Sequence, residues 1–320
     1  MAAARAVISA TRLGVFDALA GDGHSAAELA ARLELDPLGA EALLTALATL
    51  GYLHVEPDGR HRPTAAGMRL RAGVEGSVAS FIGGYNAYAW QMLGELDELL
   101  LGRRAAASHE RSPGDPFWEH YIRGLFELTR DEHDEAARLV AVERPRLLLD
   151  LAGGHGGFAM AMCRLHAELR ATVLDLPASA QVGRRIVSEQ GFDARVRFRE
   201  GDALRDELGE QVDVISMFNL LHHLRPNEVR ALLARAAGAL RAGGCVVVGE
   251  TERTEPDETA SPGGAMSGLV YFASSGTRNY TRRELVGWLV QAGLGDVAVH
   301  RSERAPWRLL YMARPQPRRG

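Results

Sequence analysis

Asp150 ends an apolar run, a glycine cluster follows at Gly153, Gly154, Gly156 and Gly157, and Asp175 ends a second apolar run. Further on stand Asp202 behind Gly201, the pair His222 and His223, and Glu250 closing the segment GGCVVVGE. Glycines in a turn let backbone N–H groups come close to a ligand, and a helix N-terminus behind them offers unpaired donors. A carboxylate that ends the next strand can accept hydrogen bonds from both hydroxyls of a ribose. A neutral histidine in reach of a phenol, whose unperturbed pKa is ~10, can take its proton while a new bond forms at the oxygen. The residue types therefore point to an adenosine-like ligand beside an acid–base group.

These residues need elements to hold them. Segments at 147–150, 171–175, 195–199 (apolar alternating with basic), 212–218, 244–250, 296–301 and 307–313 are expected to be strands, with helices between and an antiparallel hairpin formed by the last two. Gly154-His155-Gly156-Gly157-Phe158-Ala159 also satisfies the dinucleotide pattern G-x-G-x-x-G/A, which alone is a weak signal. Asp150 before the glycines, Gly201-Asp202 after the third strand and Asn219-Leu220-Leu221-His222-His223-Leu224 after the fourth favour S-adenosylmethionine over a nicotinamide dinucleotide.

The segments DLAGGHG, DLP, EGDAL, NLLHHL and RAGGCVVVGE resemble successive motifs of the S-adenosylmethionine-dependent methyltransferases. The pattern is most similar to the small-molecule O-methyltransferases of plant-like and bacterial secondary metabolism, which carry an N-terminal winged-helix dimerisation domain. The resemblance covers nearly the whole chain; its motifs are specific for the cofactor and weak for the acceptor. It implies an α/β fold, a Rossmann-like seven-stranded methyltransferase sheet with a mainly helical N-terminal winged-helix dimerisation domain. The implied division is 1–104 for that domain and a connecting helix, 105–116 for a linker rich in Ala, Ser, Gly, Pro and charge, and 117–320 for the catalytic domain. It further implies S-adenosylhomocysteine as second product, a small-molecule acceptor, a homodimer through the N-terminal domain, and no metal.

Residue by residue, the resemblance places the methionine part of the cofactor on the glycine turn, with Gly153 and Gly154 as contacts. Ala152 stands where the family has its first glycine and is expected to keep a negative φ. Asp150 is expected to fix the turn through backbone or water bonds. Asp175, followed by Leu176, is the ribose residue; its other reading is a helix cap before Pro177. Asp202 accepts from the adenine amino group with Ala203 and Leu204 against the ring, or else caps the short turn that follows. Phe218 and Asn219 complete the cofactor set.

His222 falls on the catalytic histidine of the family motif L-H-D-W, with His223 at its aspartate and Leu224 at its tryptophan. Glu250 matches the glutamate that orients this histidine. Asn279 replaces a second glutamate, and can still hydrogen-bond the histidine or a substrate hydroxyl. His222 is thus the candidate general base; the competing reading makes it a cap for a helix starting near Pro226. Trp118, Phe126, Met266, Tyr271 and Phe272, with His223, are expected to line an apolar, adaptable acceptor pocket between 265–278, the aromatic helix 81–90 and the helix 117–126. A flat aromatic or polyketide-like acceptor suits it, most simply at a hydroxyl. C- or N-methylation, a non-methylating S-adenosylmethionine-dependent reaction, a non-catalytic ligand-binding protein and a nicotinamide dehydrogenase are the rivals.

The N-terminal third reads as a winged helix. One helix is expected over Ala3 to Leu19, a second capped by Ser25 with Glu28, a third from Pro37 to Leu50, then a hairpin about Pro57-Asp58-Gly59. PLGAEALLTALATL, in the place of a recognition helix, has no arginine, so phosphate and base contacts to nucleic acid are excluded and subunit burial is expected. Net charge is −4 with a pI of about 6.3, which gives no pull toward nucleic acid or anionic membrane. No apolar run reaches membrane-spanning length and the only cysteines, Cys163 and Cys245, lie in apolar surroundings, so buried thiols and a cytoplasmic location are expected. The run Asp131-Glu132-His133-Asp134-Glu135 reads as a solvated polar helix face rather than a metal site, because consecutive helical residues point apart.

Overall fold

The computed structural model describes residues 1–104, 109–303 and 305–316. The chain forms two compact units, Met1–Gln91 with Glu119–Leu128, and Met92–Trp118 with Thr129–Gly320.

In the first unit, α1 (Ala2–Arg12) stops short of the expected single helix to Leu19. Gly14 takes the left-handed φ of +72° and α2 (Val15–Ala18) restarts at an angle, which delivers Val15, Phe16 and Leu19 to a core shared with Leu29, Leu44 and Leu47. α3 (Ala26–Leu33) carries the expected capping box: Ser25 N–H donates to Glu28 Oε2 at 2.8 Å and Glu28 N–H to Ser25 Oγ at 3.3 Å. α4 (Pro37–Thr49) is capped by Asp36, whose Oδ1 accepts from Gly39 N–H at 2.8 Å. β1 (Leu53–Val55) and β2 (His61–Pro63) form the antiparallel wing, and α5 (Ala65–Met68) follows. A π-helical turn, Ser80–Tyr85, leads into α6 (Asn86–Leu93) and α7 (Leu96–Leu100). Ser80 donates from both N–H and Oγ to the Glu127 carboxylate, at 2.8 and 2.7 Å, and the Tyr85 ring packs 5.3 Å from Tyr121. Phe81 and Tyr85 are half-buried, their rings 5.6 Å apart. The long α8 (Phe117–Leu139) contributes to both units.

The second unit is built on seven strands: β3 (Leu147–Leu151), β4 (Arg170–Asp175), β5 (Val196–Glu200), β6 (Val212–Phe218), β7 (Leu240–Thr251), β8 (Leu294–Arg301) and β9 (Arg308–Pro315). Each lies on one of the expected segments. Their spatial order is β5-β4-β3-β6-β7-β9-β8, with β9 antiparallel to both neighbours and the other pairs parallel. From β3 the chain first builds outward to β5, then returns to lay β6 on the opposite side of β3. The carboxyl ends of the strands at this reversal, where such sheets generally bind ligands, carry Asp150, Asp175 and Asn219. The helices α9 (Gly157–Leu165), α10 (Pro177–Glu189), α11 (Pro226–Ala239), α12 (Pro262–Ser275) and α13 (Arg282–Gln291) connect the strands. β6 is buried along its whole length, as a central parallel strand must be. Both thiols are buried, and burial raises the pKa of each.

Ala105 to Ser108 of the expected linker lie outside the described residues. His109 belongs to the second unit, its ring 6.1 Å from Trp118 and 4.5 Å from His223. Among the described residues no helix is long and apolar enough to cross a membrane.

Candidate active site

The turn after β3 is tighter than expected. Ala152 sits at φ +51°, Gly154 at +54° and Gly156 at +70°, so the expectation of a negative φ at Ala152 is corrected. Ala152 N–H donates to Leu174 O at 2.8 Å, and that bond to the neighbouring strand holds a conformation that costs a residue with a Cβ ~1–2 kcal/mol. Gly153 is needed for space: a Cβ there would lie 2.3 Å from Asp150 Oδ2. Gly183 of α10 is needed for the same reason, since its Cβ would stand 2.2 Å from Gly154 O.

Asp150 is buried, and its Oδ1 accepts from Ser216 Oγ at 2.6 Å while Oδ2 has no partner. Its protein partner is thus a side chain of β6 rather than a backbone N–H of the turn. Burial, with the Asp175 carboxylate adding to it and the Ser216 bond opposing, pushes its carboxyl up to about 7. Asp175 ends β4 and accepts from Gly154 N–H through Oδ2 and from Leu176 N–H through Oδ1, both at 2.7 Å. Burial pushes it up to about 6 against the pull of those N–H groups. The cap position of α10 is Leu176, so the helix-cap reading of Asp175 falls. Each oxygen keeps further acceptor capacity.

Asp202 lies in a turn at the end of β5: its Oδ1 accepts from Leu204 N–H at 2.9 Å, its N–H donates to Asp206 Oδ2 at 2.6 Å, and Arg205 is 3.3 Å from Oδ2. Ala203 beside it is buried and Leu176 is largely exposed. The Phe218 ring packs 4.7 Å from Phe158 and 4.9 Å from His133, while Asn219 takes a left-handed φ of +54° and its Oδ1 accepts from Arg308 Nη1 at 2.8 Å.

His222 stands in a 3₁₀ turn, Leu221–His223, just beyond β6. Its parallel neighbour β7 ends alongside, with Phe218 opposite Gly249, so Glu250 arrives next to the turn. Glu250 Oε2 is 2.7 Å from His222 Nδ1 and Oε1 accepts from Leu221 N–H at 2.6 Å. A carboxylate on Nδ1 keeps the ring proton there and leaves the Nε2 lone pair for another proton. The Tyr271 ring of α12 stacks on His222 at 3.7 Å and 14°, and its hydroxyl lies 2.9 Å from Thr251 Oγ1. The alternative in which His222 caps α11 is set aside, since Arg225 holds that position and its N–H meets Glu228 Oε2 at 2.7 Å. His223 Nδ1 is 2.5 Å from Ser275 Oγ. Burial, then the neighbouring His222 and His109, hold His223 well below the usual histidine range. Burial, with a smaller push from His222, lowers His109 to about 4.

The structure thus brings His222, His223, Glu250 and Tyr271 together. It does not join Asn279 to His222: Asn279 Nδ2 donates to Glu252 O at 3.1 Å and makes a longer approach, 3.5 Å, to Gly264 O, tying the exit of β7 to the start of α12. Trp118 is buried with its Nε1 donating to Ser112 O at 3.1 Å, Met266 is exposed, Phe272 is half-buried, and Phe126 lies on the part of α8 that belongs to the first unit.

The polar run on α8 is not a solvated face. His133 is buried, Glu132 Oε1 pairs with Arg308 Nε at 2.7 Å, Asp134 Oδ1 with Arg164 Nη2 at 2.5 Å, and Glu135 accepts from Ser302 Oγ at 3.3 Å. Neighbouring residues of a helix point apart, and here each direction has its own partner. No cluster suited to a metal ion occurs among the described residues. Arg308, Thr251 and His109 carry no sequence signal that separates them from other polar residues near strand ends and in loops.

A family model for the O-methyltransferase domain matches residues 101–294, more than half of the chain. The chain belongs to the O-methyltransferase family. A second model, the O-methyltransferase dimerisation domain, matches residues 1–70. The tetracenomycin polyketide synthesis 8-O-methyltransferase of Streptomyces glaucescens is 31% identical over 92% of this chain and 88% of its own. The 3-hydroxy-5-methyl-1-naphthoate 3-O-methyltransferase of Streptomyces sahachiroi is 29% identical over 90% and 85%. Among solved structures, human N-acetylserotonin methyltransferase in complex with SAM has a TM-score of 0.87 at 22% identity, covering 98% of this chain and 94% of that one. This O-methyltransferase is accordingly an S-adenosylmethionine-dependent enzyme with the seven-stranded methyltransferase sheet.

Proposed function

We propose that this methyltransferase moves the methyl group of S-adenosylmethionine to a hydroxyl of a small, flat, aromatic or polyketide-like acceptor, with His222 as general base. The observation that carries the reading is the 2.7 Å pairing of Glu250 with His222 Nδ1 at the carboxyl edge of the sheet. The donor set fits the cofactor: Asp150 has a buried acceptor oxygen without a partner, and a Cβ at Gly153 would close the space beside it. Asp175 would hold the ribose, the glycine turn the methionine end and Asp202 the adenine. When bound, the cofactor supplies an electrophilic methyl group on a sulfonium. His222 Nε2 takes the phenolic proton, Glu250 stabilises the resulting imidazolium, and the stacked Tyr271 ring keeps water from one face of the imidazole. The relatives' names, one a hydroxynaphthoate 3-O-methyltransferase and the other a polyketide synthesis 8-O-methyltransferase, support the acceptor class. The dimerisation-domain match and exposed Leu38, Leu13 and Val55 in the first unit support a homodimer.

Titration calorimetry with S-adenosylmethionine, S-adenosylhomocysteine and NAD tests the cofactor site. Micromolar binding of the first two, lost by several-fold or more in Asp175→Ala, is expected; binding of NAD alone would overturn the reading. A screen of hydroxynaphthoates and hydroxyanthraquinones, read by adenosylhomocysteine release, tests the acceptor class.

A further inference from the structure

Helix α9 begins directly behind the glycine turn, and its cap residue, Gly156, has no side chain to offer the first helical N–H groups. The left-handed φ of +70° at that position favours glycine, so the missing acceptor has to come from elsewhere. It comes from His155, whose Nδ1 accepts from Gly157 N–H at 3.0 Å. The ring is buried, and Thr129 Oγ1 of α8 lies 3.4 Å from His155 Nε2 and 3.5 Å from His133 Nδ1. His133 and His155 rings stand 5.2 Å apart, and a Cβ on Gly157 would lie 2.7 Å from Nδ1 of each. Two imidazoles, a threonine hydroxyl and a glycine of the turn therefore fit one another, with no room for a larger residue at 157.

Because Nδ1 of His155 accepts, a neutral ring carries its proton on Nε2, which donates toward Thr129. The Thr129 hydroxyl lies between the two rings, in reach of both. Burial depresses the pKa of both histidines, His155 to about 4, which agrees with two neutral rings in one tautomer each. Glu132 and Asp134 flank His133 on α8 but are turned to Arg308 and Arg164.

We propose that His155 is a positioning residue for cofactor binding: docked on Thr129 and His133, it holds Gly157 N–H and so fixes the shape in which the glycine turn meets S-adenosylmethionine. The inference rests on the assignment of that turn as the cofactor site.

The test is adenosylhomocysteine affinity by calorimetry, with melting temperature measured in parallel, for wild type, His155→Leu, His155→Asn, His155→Gln and Thr129→Val. Asparagine keeps an acceptor at the δ position, glutamine moves it to the ε position, and leucine removes it. Expected are a loss of about tenfold in His155→Leu and His155→Gln, and affinity within about threefold of wild type in His155→Asn, the size of one neutral hydrogen bond. Thr129→Val should fall between. Equal affinity in wild type and His155→Leu would overturn the proposal, as would His155→Asn binding no better than His155→Gln, the comparison that decides if the leucine variant does not fold. Absence of binding by wild type would instead overturn the cofactor site itself.

Discussion

Glu250→Gln changes one atom and should reverse the polarity of the proposed base. Glu250 spends one oxygen on Leu221 N–H at 2.6 Å and the other on His222 Nδ1 at 2.7 Å. A glutamine must keep its carbonyl on Leu221 N–H, because its amide group there would set two donors face to face. The NH₂ group then points at Nδ1, which has to become an acceptor, and the ring proton moves to Nε2. An Nε2 that already carries a proton cannot receive one from the acceptor hydroxyl. General-base catalysis contributes ~10²–10⁴ in rate. At 1.36 kcal/mol per decade the variant should therefore lose about 3–5 kcal/mol of transition-state stabilisation. The loss should fall on kcat, measured as adenosylhomocysteine release with a saturating phenolic acceptor, with adenosylhomocysteine affinity unchanged. The tautomer itself is readable without an acceptor, from the ¹⁵N shifts of His222 in the two proteins. A reversed tautomer with kcat within about threefold of wild type would refute the base and leave positioning of the reactants as the source of rate.

Three further outcomes are expected. Asp150 has a raised carboxyl pKa, so its contribution to stability is greatest at low pH and is lost as pH rises from the ordinary aspartate range through about 7. Asp150→Asn removes that loss, and the melting temperature of the variant relative to wild type should increase between pH 5 and pH 8 by roughly 3–6 °C; a flat difference would contradict the raised pKa. Ala152→Gly relieves the φ of +51° and should raise stability by up to ~1 kcal/mol in chemical denaturation, whereas a loss would mean that the turn is not strained there. Gly183→Ala would drive a methyl group against Gly154 O and should weaken adenosylhomocysteine binding by more than about tenfold, with unchanged affinity arguing that the turn yields freely.

The central sheet was legible because β3, β4 and β6 are short, mostly apolar runs closed by Asp or Asn or running into a glycine turn, as buried parallel strands are. His222 and Glu250 were legible for a related reason: they end consecutive parallel strands, so pairing alone brings them together. What escaped was decided by packing across the chain. Nothing in DEHDE says that His133 turns inward onto a threonine and a loop histidine while Glu132 finds Arg308, since that needs the path of β9. The break at Gly14 was hidden by apolar residues that continue on both sides of it. That the Asn279 amide meets Glu252 O rather than His222 was not legible, because a motif position does not record which carbonyls a side chain will meet.

The inverted direction of β9 has a consequence for how the enzyme comes into being. Every other strand that supplies the site does so with its last residues, but β9 supplies Arg308 with its first, opposite Thr251. Asn219 and Glu132 therefore gain their guanidinium partner only after the β8–β9 hairpin has been synthesised and zipped into the sheet between β7 and the edge. β9 thus acts as a latch: through Arg308 it ties the turn after β6, the end of β7 and α8 to one guanidinium.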